Sequence, residues 1–163
     1  MDFEGRQFCP QCMRILAPDG NCPVCRTFPV ALPDQLESGT LLRGKYLIAG
    51  LIARGKTSLT YSGWDEGNAQ SIAIREFFPR GLASRDVQLS DTLTVKDEDA
   101  PVFAKAYTAF AAWQSHLCRM QHLPILDCFP ENATHYIVIP FLRSPAFAAW
   151  KAENDRQESS SMV

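Results

Sequence analysis

Long apolar runs are missing from this chain of 163 residues. No stretch approaches the roughly 18 consecutive apolar residues that a membrane-spanning helix needs, so no membrane role is expected. The amino-terminal MDFEGRQFCP lacks the apolar centre of a secretory signal. Long basic runs are missing as well, and the formal net charge is -2. That balance argues against nucleic acid or an anionic lipid surface as the partner. Histidine is scarce. His116, His122 and His135 sit beside apolar residues at a spacing that fits no metal-ligand pattern, so they are expected to be surface or core residues. No internal repeat is present.

Hydrophobic residues, by contrast, make up 46% of the chain. A packed core is therefore within reach, and wholesale disorder is not expected. The length suits one ordinary domain plus a small appendage. Without a secretory signal, the six cysteines are expected in a reducing, cytoplasmic setting.

Four of those cysteines form two knuckles, Cys9-x2-Cys12 and Cys22-x2-Cys25, nine residues apart. Each knuckle aims two sulfurs at one point. Two of them complete a tetrahedron around Zn²⁺ at about 2.3 Å per Zn–S bond. The Pro18-Asp19-Gly20 turn reverses the chain so that the knuckles face each other. Structural zinc on Cys9, Cys12, Cys22 and Cys25 is the leading reading, ahead of two disulfides or a redox dithiol. Four thiolates leave the ion no open position, so it would hold together a segment with almost no core of its own. A docking ribbon and a simple staple both remain open.

The stretch from Leu41 to Pro79 organises the rest. Apolar, β-rich runs at 45–52, 58–64 and 71–78 are separated by the turns Arg54-Gly55-Lys56 and Asp65-Glu66-Gly67-Asn68. They predict an antiparallel meander. Residues 80–99 read as loop, with a short strand at Leu93-Thr94-Val95. The acidic Asp97-Glu98-Asp99 reads as the entry to a helix, with Asp99 as cap and Pro101 in the first turn. In the helix predicted at 101–121, Phe103, Phe110 and Leu117 recur every seven residues, as do Ala106, Trp113 and Met120. They make one apolar stripe, and Pro124 is expected to stop the helix. Runs at 125–129 and 134–142 predict a hairpin across Pro130-Glu131-Asn132-Ala133.

The expected fold is α+β: a five-stranded antiparallel sheet with one packed helix, preceded by a small zinc ribbon. The expected organisation is a ribbon at 1–28, a linker at 29–40, the sheet domain at 41–143 and a tail at 144–163. The tail opens with an apolar patch, Phe147 to Trp150, and then turns polar, so its end is expected to be mobile. Trp64, Trp113 and Trp150 are expected in core or interface. Cys118 and Cys128 are expected as small apolar fillers.

A competing motif is present. Gly50 to Thr57, GLIARGKT, fits the phosphate-loop pattern G-x-x-x-x-G-K-[ST] letter for letter. That chemistry needs a helix amino-terminus directly after the loop, aimed at the phosphates. Ser58 to Trp64 reads as strand instead, so a plain turn is favoured.

Gly44-Lys45-Tyr46-Leu47-Ile48, Leu59-Thr60-Tyr61-Ser62-Gly63-Trp64-Asp65, Ala73-Ile74-Arg75-Glu76-Phe77-Phe78-Pro79 and Tyr136-Ile137-Val138-Ile139 carry a resemblance. In this order they resemble the small lobe of bacterial serine/threonine protein kinases, in the subgroup with a zinc ribbon ahead of the kinase domain. The resemblance covers roughly 40–143 and implies that the 101–121 helix is the regulatory helix of that lobe. It also implies losses. The family's glycine-rich loop aligns with Ala53, Gly55, Lys56 and Ser58, where one glycine remains. The phosphate-contacting lysine is replaced by Arg75, and the helix glutamate that pairs with it by Trp113. No HRD-type catalytic loop or DFG-type metal-binding aspartate occurs in the chain.

These departures imply a non-enzymatic, pseudokinase-like interaction or regulatory module. It would bind a protein partner, or a second copy of itself, through the face that a large lobe would cover, with the segment from Pro145 to Trp150 as an alternative cover. The alternative function is a regulator that holds a nucleotide or another phosphate ligand near Gly55, Lys56 and Arg75 without hydrolysis. ATP itself is not expected, and zinc is the expected metal.

Overall fold

The computed structural model describes residues 9, 15–26, 33–120 and 124–141. The second knuckle cysteine Cys12, His122, Trp150 and the tail at 144–163 lie outside the described residues.

The predicted meander is present. Strands β2 (Tyr46–Arg54), β3 (Ser58–Asp65) and β4 (Gln70–Phe77) pair antiparallel in sequence order. The hairpin follows as β7 (Asp127–Glu131) and β8 (Thr134–Pro140), with β8 pairing antiparallel to β4. The sheet has six strands rather than the expected five. Its order is β1-β2-β3-β4-β8-β7, and the extra member is β1 (Leu41–Leu42), which folds back on β2. Two residues with no alternation of their own left β1 illegible in sequence. Its place follows from the Arg43-Gly44 turn, where both residues have positive φ. The short strand expected at 93–95 is present as β6 (Thr94–Val95), and it pairs with β5 (Ala83–Ser84), a strand in the segment read as loop, to make a second, two-stranded sheet.

A strand, not a helix, leaves Thr57, and Gly50 lies inside β2. The antiparallel β2–β3 pairing removes the geometry a phosphate loop requires. The β3–β4 turn is tied by Asp65, whose buried carboxylate accepts from the Gly67 and Asn68 backbone N–H groups and from Asn68 Nδ2. Gly63 is required where β3 pairs with β2: a Cβ there would clash with the Leu47 carbonyl oxygen. The β7–β8 turn is tighter than expected. Asn132 and Ala133 alone connect the strands, both with positive φ, the geometry that matches strand twist.

Helix α1 (Ala100–Arg119) follows a 3-10 turn at Asp97–Asp99. Asp99 occupies the cap position but its side chain makes no capping hydrogen bond; Pro101 stands in the first turn as expected. The helix ends at Arg119, five residues before Pro124, where the Met120 backbone turns extended and its N–H returns to the Leu117 carbonyl. Both apolar rows of α1 face the sheet, packing Phe110, Trp113 and Leu117 on Ala73, Phe77, Ile137 and Ile139.

The sheet is curled. Arg43, in the turn at one edge, bonds Asp127 of β7 at the opposite edge at 2.9 Å. Tyr46 stacks on Phe129 with ring centroids 5.7 Å apart, and its hydroxyl donates to Asp127 at 2.7 Å. The inside of the curl holds a second core of Ile48, Leu59, Tyr61, Ile72, Ile74, Phe129, Tyr136 and Val138. Residues 33–40, inside the stretch read as a linker, cross the mouth of this curl, and Leu36 is fully buried there. Full burial of one such side chain contributes about 1.5–3 kcal/mol.

Candidate functional site

Adjacent residues of a strand point to opposite faces, and β4 uses that alternation to bury two charges. Arg75 faces α1. Its register sets it opposite Thr60 on β3 and Ile137 on β8, in the middle of the sheet. It is 1% exposed, and its guanidinium carbon lies 4.5 Å from the Trp113 ring centroid and 5.3 Å from that of Phe110. A guanidinium shed of water over two ring faces is stabilised by about 2 kcal/mol through the ring quadrupoles. Trp113 reaches this position because the seven-residue stripe of α1 turns it toward the sheet.

Glu76, the next residue, faces the inside of the curl and is 0% exposed. Its carboxylate accepts from Tyr61 Oη at 2.8 Å, Tyr136 Oη at 2.9 Å and Arg85 Nη1 at 3.2 Å, with Arg85 Nη2 closer still. Arg85 in turn donates from Nε to the Asp91 carbonyl and from Nη1 to the Asp34 carbonyl, closing loops 33–40 and 85–93 over the core. Burial, and secondarily the Glu76 charge, hold the Tyr61 and Tyr136 hydroxyls well above the ordinary phenol range. This network is not legible from local pattern, because Arg85 lies nine residues downstream in an irregular segment. The one available signal was a glutamate beside an arginine in a strand that is otherwise apolar from Ile72 to Phe77, which demands a buried partner.

The residues of the reduced glycine loop lie elsewhere. Gly55 and Lys56 form the β2–β3 turn, where the Gly55 N–H is spent on the Ser58 carbonyl at 2.8 Å. Lys56 is exposed, and its carbonyl accepts from the Arg80 N–H beyond the end of β4. Register thus puts Lys56 past the strand end and Arg75 in the sheet centre.

Three of the knuckle cysteines, Cys9, Cys22 and Cys25, bring their sulfurs within 4.8 Å of one another. The Cys25 backbone N–H donates to Cys22 Sγ at 3.3 Å, and the Arg26 N–H closes the same turn on the Cys22 carbonyl. These sulfurs are close enough together to bind a metal ion. Before the second knuckle, Asp19 accepts from Asn21, and Gly20 supplies the positive φ of the reversal.

The remaining candidates are structural. His135 Nδ1 lies 3.2 Å from the Tyr107 hydroxyl, and burial holds its pKa below the ordinary histidine value. His116 is exposed. Trp64 packs on Leu47 and Ala49. Cys118 and Cys128, expected as small apolar fillers, are neighbours with sulfurs 3.6 Å apart.

No protein-family profile matches the chain. No curated protein matches it either. Among solved structures, the apo form of PpkA-294, a bacterial serine/threonine kinase, is similar at a TM-score of 0.61 and 26% identity. The match covers 66% of this chain and 39% of that one. The fold is kinase-like. In this kinase-like sheet, an arginine stacked on a helix tryptophan stands where the resemblance implied a lysine–glutamate ion pair. No helix among the described residues is long and apolar enough to cross a membrane.

Proposed function

We propose that the chain is a non-catalytic, pseudokinase-like module with a structural zinc ribbon, and that it acts by binding a protein partner in the bacterial cytoplasm. The observation that carries this reading is the Arg75–Trp113 stack. A kinase lysine must reach into the nucleotide site and be held there by a carboxylate. The Arg75 guanidinium lies under the Trp113 and Phe110 rings at 1% exposure. The one surviving loop glycine has its N–H committed to its own turn, and these residues include no HRD or DFG group to orient a hydroxyl or hold Mg²⁺.

Thiolates in two Cys-x2-Cys knuckles suit zinc best. Cys9, Cys12, Cys22 and Cys25 would hold it and, with all four positions filled, the ion would fold the ribbon rather than react. Metal analysis of the purified chain tests this: about one zinc per chain is expected, lost in Cys22→Ser.

Calorimetry with Mg²⁺–ATP tests the non-catalytic reading. No saturable heat and no phosphoryl transfer to a generic substrate are expected. Saturable binding abolished in Arg75→Ala, with the fold retained by circular dichroism, would overturn it. A phosphate ligand at Gly55, Lys56 and Arg75 has no cavity of its own among the described pockets; a phosphate-binding alternative would use a different place, a cavity of about 320 Å³ lined by Arg54, Arg80 and Lys96 along with Asp34 and Asp99. Titration with pyrophosphate, repeated on Arg80→Ala, decides that alternative. Partner binding is read by size exclusion with light scattering, where self-association shows as a mass that rises with concentration.

A further inference from the structure

Cys118 sits exposed near the carboxyl end of α1, and Cys128 is half-buried in β7. Their sulfurs are 3.6 Å apart. A disulfide bond is about 2.0 Å long, so closure needs an approach of about 1.6 Å. Neither residue belongs to the ribbon cluster, and neither has a place in the binding reading above. We infer that Cys118 and Cys128 are a reversible redox site, closing under a peroxide oxidant to a disulfide that staples α1 to the sheet.

The chemistry balances with hydrogen peroxide as the two-electron oxidant. The Cys118 thiolate attacks one peroxide oxygen, the O–O bond breaks, and hydroxide leaves, taking a proton to become water. Cys118 is then a sulfenic acid. The Cys128 sulfur attacks the Cys118 sulfur and the S–O bond breaks. The hydroxide released takes the Cys128 proton and leaves as a second water. Two thiols have lost two electrons and two protons to one peroxide.

Exposure assigns the roles. Cys118 meets solvent and oxidant first, whereas burial pushes the Cys128 thiol up to about 12, which keeps it protonated until a sulfenic acid is presented to it. The two residues are ten positions apart. A crosslink over so short a loop still removes unfolded-state freedom. It also pins the helix five residues beyond Trp113, fixing the ring that stands over Arg75. A pair of this kind suits a reducing compartment, where disulfides form transiently.

Peptide mapping of the full chain tests the inference. Trypsin cuts after Arg119 and Arg143, so the two cysteines fall in separate peptides, both distinct from the ribbon peptides. After mild peroxide treatment and alkylation, the 106–119 and 120–143 peptides should be recovered joined, two hydrogen masses light, and dithiothreitol should separate them. In Cys128→Ser, Cys118 should accumulate as a sulfenic acid trapped by dimedone. The oxidised wild type should melt several degrees higher than the reduced chain. Cys118→Ser, altered at an exposed position, should fold and show no such shift. The inference is overturned if Cys118 passes to sulfinic acid without joining Cys128, if either thiol pairs instead with a ribbon cysteine, or if both remain fully alkylatable.

Discussion

Arg75 and Glu76 are consecutive in β4 and almost equally hidden, yet their surroundings differ in kind. On the helix side, aromatic faces cover a guanidinium. On the inner side of the curl, a carboxylate is enclosed by a guanidinium and two tyrosine hydroxyls. The contrast teaches where this fold tolerates change. An aromatic cover is soft: it has no fixed number of hydrogen bonds, and a related side chain can be accommodated. The Glu76 network is rigid. Each member satisfies another, and removing one leaves a buried charge exposed to a low dielectric.

The largest effect should therefore come from the inner face. Arg85→Ala leaves Glu76 buried without its counter-charge and should lower unfolding free energy by about 3–5 kcal/mol, measured by urea denaturation. A loss under about 1 kcal/mol would break the contrast. On the helix side, Trp113→Ala opens a cavity and should cost about 3 kcal/mol by the same assay. If it costs more than Arg85→Ala, the helix face is the stiffer one.

Alkaline pH sharpens the comparison, because it tests the two tyrosines of the Glu76 network directly. Tyr61 and Tyr136 have folded pKa values raised above the unfolded value, chiefly by burial. Below about pH 10 both states keep the phenol proton and stability is unaffected. Above it the unfolded phenol ionises while the buried one stays neutral. Stability should then fall by up to about 1.4 kcal/mol per pH unit for each tyrosine. Denaturation at a series of pH values, with Tyr136→Phe as control, reads the slope; a flat profile would show that the network admits water. The smallest effect is expected from Arg75→Lys. The charge is kept and the planar stacking is lost, at a cost of about 1 kcal/mol.

Much of this fold was legible because it is written in local periodicity. Alternating runs marked β2, β3 and β4 to within two residues. The seven-residue spacing of Phe103, Phe110 and Leu117 marked the buried face of α1. Missing were features made by residues that are distant in sequence or too few to show a period. Strand β1 has two residues, and Leu36 enters the core from a proline-bearing stretch that reads as linker. At the candidate site, the approach of Cys9, Cys22 and Cys25 and the pairing of positions 75 and 113 were legible. Arg85 was not, since irregular segments encode no direction.

Sequence alone settled where the long strands and the helix form, because backbone preference and apolar spacing act over a few residues. It also settled that the two charges of β4 would occupy opposite faces, since a strand alternates by construction. Tertiary structure decided what each charge met there. The curl of the sheet brought Tyr61, Tyr136 and Arg85 around one carboxylate, and helix packing brought two thiols within 3.6 Å. Such meetings depend on the sum of many weak packing terms across the chain, and no short window of residues contains that sum.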